Sequence, residues 1–347
     1  MKPLFSQRGF SLIELLVAMA IGMVFMAAVV RVYVSTGDAY RKMEGVAAVQ
    51  NDGRFIINFL QNIIMSAGYR GCAASGSVLN NRLNGSATYA YDFSVPLDGN
   101  ESTGVGTWSP ALDPALASAL SGSDVITVRG VNDYPVSVTA QMASLTSDLT
   151  VNALNNFSSG TILMVSDCAG NVDVFQKTNS FSAAAATSIS HAAGGAGPGN
   201  SSGTLATTYG TSAAVAPVST TGIFVAVSPT TGINSLYVIQ PSSFGTTATQ
   251  LVEGVDGMQI LYGVATVAGS NTATQYMPAD AVTAAGAWDN VMTVRVAVLV
   301  SSPNASTRTP DTRIYNVLGV NYGPFGDFRE RRVFTTTVTL RNRYLRQ

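Results

Sequence analysis

The chain has 347 residues, and only 11% of them are charged, against about 25% in an ordinary globular domain. Its 19 Lys and Arg nearly balance 20 Asp and Glu at a formal net charge of −1, which excludes a strong electrostatic footprint for nucleic acid. One histidine, His191, leaves no room for a His-based zinc site.

Residues 1–9 are a short basic and polar leader carrying Lys2 and Arg8 and ending in Gly9. Residues 10–30 follow as an apolar run broken only by Glu14. At 1.5 Å per residue such a helix spans roughly 31 Å, one bilayer core. An ionised side chain inside that span costs about 2.5–3.5 kcal/mol, so Glu14 asks for a partner. Lys2 and Arg8 keep the leader cytoplasmic, and everything beyond Arg31 is expected outside the inner membrane. Two simpler readings compete. Ala18-Met19-Ala20 mimics a secretory cleavage site, although the apolar run continues to Val30. A plain membrane anchor also fits the length.

No Pro interrupts the next stretch, and residues 31–70 are expected to continue the helix outside the membrane. Phe55, Ile56, Phe59, Leu60, Ile63 and Ile64 recur at helical spacing and form one apolar face, with Asn58, Gln61 and Asn62 opposite. Gly37, Gly45 and Gly53 each cost about 1 kcal/mol relative to Ala, so bending or local melting is expected there. Gly68 reads as the stop.

The head, residues 71–347, opens with Cys72, and Cys168 is its only other cysteine. The pair suits one disulfide in an oxidising compartment; two buried thiols are the alternative. From about residue 124 the pattern changes to period two. The clearest strand is 290–301, with Met292, Val294, Val296, Val298 and Val300 on one side and Thr293, Arg295, Ala297 and Leu299 on the other. Phe334, Thr336, Val338 and Leu340 alternate near the end. Shorter strands are expected at 124–129, 161–165, 172–176, 223–228, 236–240 and 258–262. Residues 182–222 are almost wholly Ala, Ser, Thr and Gly and read as a surface insertion too poor in large side chains to form a core. The fold class is therefore α+β, one long helix packed on an antiparallel β-rich head.

The segment Gly9-Phe10-Ser11-Leu12-Ile13-Glu14-Leu15-Leu16-Val17 resembles the cleavage and methylation segment of type IV prepilins and type II secretion pseudopilins. That resemblance implies a pilin-like fold and a prepilin peptidase that cuts between Gly9 and Phe10 and methylates the Phe10 amine. It also implies that Glu14 docks against a neighbouring subunit's N-terminus. Leu251-Val252-Glu253-Gly254-Val255 with Tyr262, the ending 332–343, and Asn51-Asp52-Gly53-Arg54-Phe55 with Gly68-Tyr69-Arg70-Gly71-Cys72 resemble PilW-type minor pilins. The chain is longer than a typical major pilin, and a bulky head is easiest to place at a filament tip. The family implies other minor pilins, the major pilin, the peptidase, an inner-membrane assembly platform and lipid as partners. Its implied location is the inner membrane, then the pilus tip.

A type II secretion pseudopilin shares the leader and helix and is the main alternative; a membrane-anchored binding or adhesion domain is a lower one. No enzyme is expected, since His191 lies in the low-complexity stretch and no P-loop occurs. No cofactor is expected either. Asp167, Asn171 and Asp173 flank a turn beside Cys168 and offer oxygen ligands, but at no EF-hand spacing, so no metal is assigned. Asp256 and Gly257 read as a turn. Arg329, Arg331, Arg332, Arg341, Arg343 and Arg346 read as a solvated strand face, with contact to a polyanion as the sharper alternative.

Overall fold

The structure, a computed structural model, describes residues 10–343 apart from 74–76, 132–134, 153–156, 181–186, 242–246, 268–269 and 271. The leader with Gly9, and Arg346 at the other end, lie outside the described residues.

Helix α1 runs unbroken over Leu12–Met65. Ser11 caps it: its Oγ accepts from the Glu14 N–H at 3.2 Å, and Glu14 Oε2 reaches back to the Ser11 N–H at 2.9 Å. This reciprocal pair satisfies two of the orphan donors of the first turn. At the other end Gly68 adopts φ +69°, a left-handed conformation that glycine takes without penalty, three residues after the last helical turn. Val49, Ile56, Leu60 and Ile64 are buried along one stripe, with Phe59 and Ile63 at its margins. Phe55, counted in that face from its spacing, is instead 50% exposed.

In chain order the head contains β1 (Leu79–Asn81), β2 (Leu97–Gly104), β3 (Thr107–Ser109), β4 (Val125–Val131), β5 (Val136–Ser137), β6 (Leu149–Thr150) and β7 (Ile162–Ser166). There follow β8 (Val172–Gln176), β9 (Ser188–Ile189), β10 (Ala214–Val227), β11 (Asn234–Ile239), β12 (Ala248–Glu253) and β13 (Val255–Val264). The last elements are β14 (Gln275–Met277), the short helix α2 (Ala279–Ala284), β15 (Val291–Ser301), β16 (Tyr315–Val317), β17 (Val320–Tyr322) and β18 (Arg331–Thr339). The period-two segments thus became strands, because Val, Ile and Thr pack best on a pleated surface.

Two sheets organise these strands. The proximal one is four-stranded in the order β14-β13-β15-β18 and entirely antiparallel. The distal one follows β1-β8-β7-β10-β4-β2-β3, with β11, β12 and β5 attached through β10. Only its β1–β8 pairing is parallel. One face of β15 buries Val294, Val296, Val298 and Val300 with the α1 stripe in the largest core. Its other face buries Ala297 and Leu299 under the β16–β17 hairpin. Burying a side chain such as Leu60 is worth roughly 1.5–3 kcal/mol, so this proximal core holds the helix on the head.

The surface insertion expected at 182–222 is a correction. Residues 214–222 lie within β10, the strand that joins β7, β4 and β11. Leu205, Tyr209, Ala213 and Val215 belong to a buried cluster with Phe175 and Ile189. Small residues suffice there because loops cover the strand and supply the missing volume. Asp256 is likewise no turn residue: it sits in β13, where the pairing with β15 shifts register between Val255 and Gly257.

Candidate assembly site

Glu14 occupies the first turn of a bare helix. From Leu12 to Glu44 every residue of α1 is exposed except half-buried Asp38, and Gly45 is the first one buried. Up to Gly37, ahead of the Asp38 contact with Arg308, that stretch extends roughly 39 Å from the head. Phe10 is 90% exposed. The Glu14 carboxylate is held only by Ser11, by its N–H and by its hydroxyl at 3.1 Å. Both bonds are local and solvent-facing, so the carboxylate is pre-oriented at the helix start and open to an incoming ammonium group. Gly9 lies outside the described residues, so the structure places Phe10 just ahead of the Ser11 cap, four residues before Glu14, and leaves the cleavage position itself undescribed.

The docked end of the helix is fixed by close approach. A Cβ on Gly53 would clash with Cε2 and Cζ of the Phe334 ring, and one on Gly45 with Ser306 Cβ. The local melting expected as one option at these glycines does not occur: α1 is continuous, and the missing side chains let β18 and the 302–306 segment come close. Gln61 Nε2 donates to Thr336 Oγ1 at 2.7 Å, and Asn342 Nδ2 donates to the Met65 and Ala67 carbonyls at 3.2 and 3.1 Å. Lower down, Arg308 pairs with Asp38 and forms the last tie between head and helix.

Cys72 and Cys168 are joined, with Cα atoms 4.9 Å apart across a sequence separation of 96. The bond ties the segment after α1 to the turn between β7 and β8. Next to it, Asp167 accepts from the Ala169 and Asn171 N–H groups and from Asn171 Nδ2. Asp173 is fully buried and accepts from Arg82 Nε, the Ala206 N–H and Tyr209 OH. These carboxylates are therefore engaged in holding the β7–β8 turn and the loop over it. His191 is not loose either: it is 1% exposed, tilted against Phe175, with Nε2 donating to the Ser147 carbonyl at 2.9 Å.

Two ionic groups were missed in the sequence. Arg331, taken as part of a solvated face, is buried and donates to Asp256 at 2.7 Å, Asp311 at 3.2 Å and Asp327 at 2.5 and 2.6 Å. Its guanidinium also stacks 3.8 Å from the Phe325 ring centre. The guanidinium bond holds the Asp327 carboxyl below the ordinary carboxylate value. The second group is the pair Glu101 and Asp124, on β2 and just before β4. Asp124 accepts from the Ser102 N–H at 3.1 Å and the Ile260 N–H at 2.8 Å, which pins β13 to the distal sheet. Burial pushes Glu101 up to about 8, with the Asp124 charge adding to it, and burial pushes Asp124 up to about 7. The two carboxyls therefore hold a proton between them near neutrality. Carboxylate spacing in sequence gave no signal for either group, since the partners lie on strands far apart in the chain.

With this geometry in place, the comparisons with known proteins become informative. Residues 4–30 match the family model of the prokaryotic N-terminal methylation motif. Residues 223–342, from the second half of β10 through the proximal sheet, match the family model of type IV pilus-assembly protein W. None of the curated proteins matches the chain. Among solved structures, the type IV-like pilin TTHA1219 from Thermus thermophilus overlaps 36% of this chain and 67% of its own at 16% identity. Its TM-score is 0.19, an overlap too weak to add to the family matches. A methylation motif on a bare apolar helix, joined to a β-rich head, defines a pilin-like protein. Over residues 223–342 the chain is similar to type IV pilus-assembly protein W, and with the methylation motif at 4–30 that likeness supports a minor-pilin role in the type IV pilus.

Proposed function

We propose that this chain is a minor pilin, a low-copy structural subunit of the pilus tip, joining other minor pilins into the complex that primes polymerisation. The observation that carries the reading is the contrast in α1: an apolar stretch to Val30 whose one carboxylate, Glu14, is oriented at the helix start, exposed along its whole length beneath a large head. Bare apolar surface of that length needs lipid before assembly and neighbouring helices afterwards. A prepilin peptidase cuts after Gly9 and methylates Phe10; Glu14 then exchanges its Ser11 contacts for a neighbour's amine and sets the helix register. The partners are the major pilin, other minor pilins and the inner-membrane assembly platform, and the head is periplasmic until export. The chain performs no catalysis in this scheme.

The test is the mass of the N-terminal peptide from cells with and without the peptidase. A peptide beginning at methylated Phe10, lost without the enzyme, supports the scheme; an intact Met1 end removes its basis. Gene deletion separates the rival machine. Loss of surface fibres with normal protein secretion supports the pilus, and the reverse pattern assigns the chain to type II secretion.

A further inference from the structure

Among the described residues, the outer edge of β18 is a long strand edge with no partner strand. Among the described residues β18 pairs only with β15, in nine consecutive registers without a shift. Two bonds at its ends, Leu340 N–H to the Met292 carbonyl and Ser302 N–H to the Glu330 carbonyl, fix the phase. In an antiparallel pair the inward bonds alternate. Even-numbered residues therefore bond to β15, and the N–H and C=O groups of Val333, Thr335, Thr337 and Thr339 point outward. No backbone bond occupies them among the described residues. Thr335, Thr337 and Thr339 are exposed.

Edges are normally blunted by shortness, bulges, proline or inward charges. The other edge strands follow that rule: β1, β3 and β14 have three residues each, and β12 is interrupted by a register shift against β11. Between Arg332 and Arg341, in contrast, the sequence Val-Phe-Thr-Thr-Thr-Val-Thr-Leu holds neither charge nor proline.

We infer that this edge accepts an extended strand from another pilus subunit, one with acidic residues at both ends of the segment. The inference rests on the assembly role proposed above. The charge pattern selects the occupant. Arg332 and Arg341 are exposed and flank the strand, so carboxylates on the added strand gain at both ends. A second copy is disfavoured: any antiparallel register that uses the whole edge brings Arg332 of each copy beside Arg341 of the other. Main-chain bonds give such strand addition its affinity, and the flanking charges give it selectivity.

The experiment uses the full chain in detergent micelles and a short synthetic peptide of alternating Val and Thr with Glu at both ends. The peptide is expected to bind, and replacing both Glu by Lys is expected to weaken it by about tenfold or more. The double variant Thr335→Pro/Thr337→Pro is expected to lose binding while still unfolding cooperatively, because it removes outward N–H groups and, besides them, only the exposed hydrogen bond from Arg295 to the Thr337 hydroxyl. A peptide N-methylated on alternate residues is the second probe, independent of any variant, and should not bind wild-type protein. Absence of binding by the Glu-flanked peptide, binding that survives both the proline variant and N-methylation, or dimers of the full chain that the prolines abolish would each overturn the inference. Peptide binding needs no pilus, so its failure leaves the tip role standing. Failure of Phe10 methylation, conversely, leaves the edge measurement intact and removes only its biological setting.

Discussion

Glycine has opposite meanings in the two halves of α1. In the bare half, Gly22 and Gly37 have nothing within 4 Å of a would-be Cβ, so each is a small local cost in helix stability. In the docked half, Gly45 and Gly53 are the points where Ser306 and the Phe334 ring approach the helix axis, and any side chain would push the head away. The same residue is thus slack where the chain has no neighbour of its own and a requirement where it does. The contrast extends beyond glycine. Leu12–Gly37 is shaped by surroundings the chain does not supply, Asp38 is tied to the head by Arg308, and from Gly45 the helix is shaped by its contacts with the head.

The largest test of that division lies in the self-packed part. Arg331→Ala should destabilise a soluble form beginning near residue 31 by about 3–5 kcal/mol, because Asp256, Asp311 and Asp327 lose their shared cation. Urea unfolding checks it, and a change near zero would mean that solvent reaches the cluster freely. Gly53→Ala comes next, at about 1–3 kcal/mol from overpacking. Phe334→Ala should relieve part of that loss in the double variant, which a double-mutant cycle reads directly.

A smaller effect is set by pH. Glu101 and Asp124 bind protons more tightly in the folded state, since burial raises both. Their contribution is complete below the ordinary carboxylate range and is lost as pH rises through about 7 and 8. The urea midpoint of the soluble form should fall between pH 6 and 9, and Glu101→Gln should flatten that slope. Smallest of all, Gly37→Ala should leave the unfolding of the head unchanged or raise helix stability by up to about 1 kcal/mol. A loss comparable to that of Gly53→Ala would erase the distinction between the halves.

Much of this was legible because it is periodic. The apolar run and the Val-rich strand over Val291–Ser301 each repeat at the spacing of their element, so local sequence sufficed, whereas the Ser11–Glu14 capping box was not read from the sequence. The Ile56, Leu60 and Ile64 face was read correctly, but Phe55 shares its spacing and not its burial. What stayed hidden depends on partners distant in the chain. The first part of β10 is Ala-Val-Ala-Pro-Val-Ser-Thr-Thr, which resembles a loop by composition, and Pro217 argues against a central strand. It is a strand because its neighbours change along it: β7 up to Pro217, β4 from Val218. Asp256 read as a turn for the same reason, since its partner Arg331 lies 75 residues away. The assembly residues were the reverse case, a dense local motif whose partner the chain does not contain.

The Cys72–Cys168 bond changes how the molecule answers to tension. Consider a pull applied to the β7–β8 end of the distal sheet while α1 is gripped by its neighbours. Without the bond, that pull would run through the chain from residue 73 to 167 and peel β1, β2 and β4 from their partners one ladder at a time. With it, the force crosses from Cys168 to Cys72 and enters the helix through the short segment 66–71. The intervening strands are bypassed, and the rupture of covalent bonds replaces the unzipping of hydrogen bonds as the limit on that path.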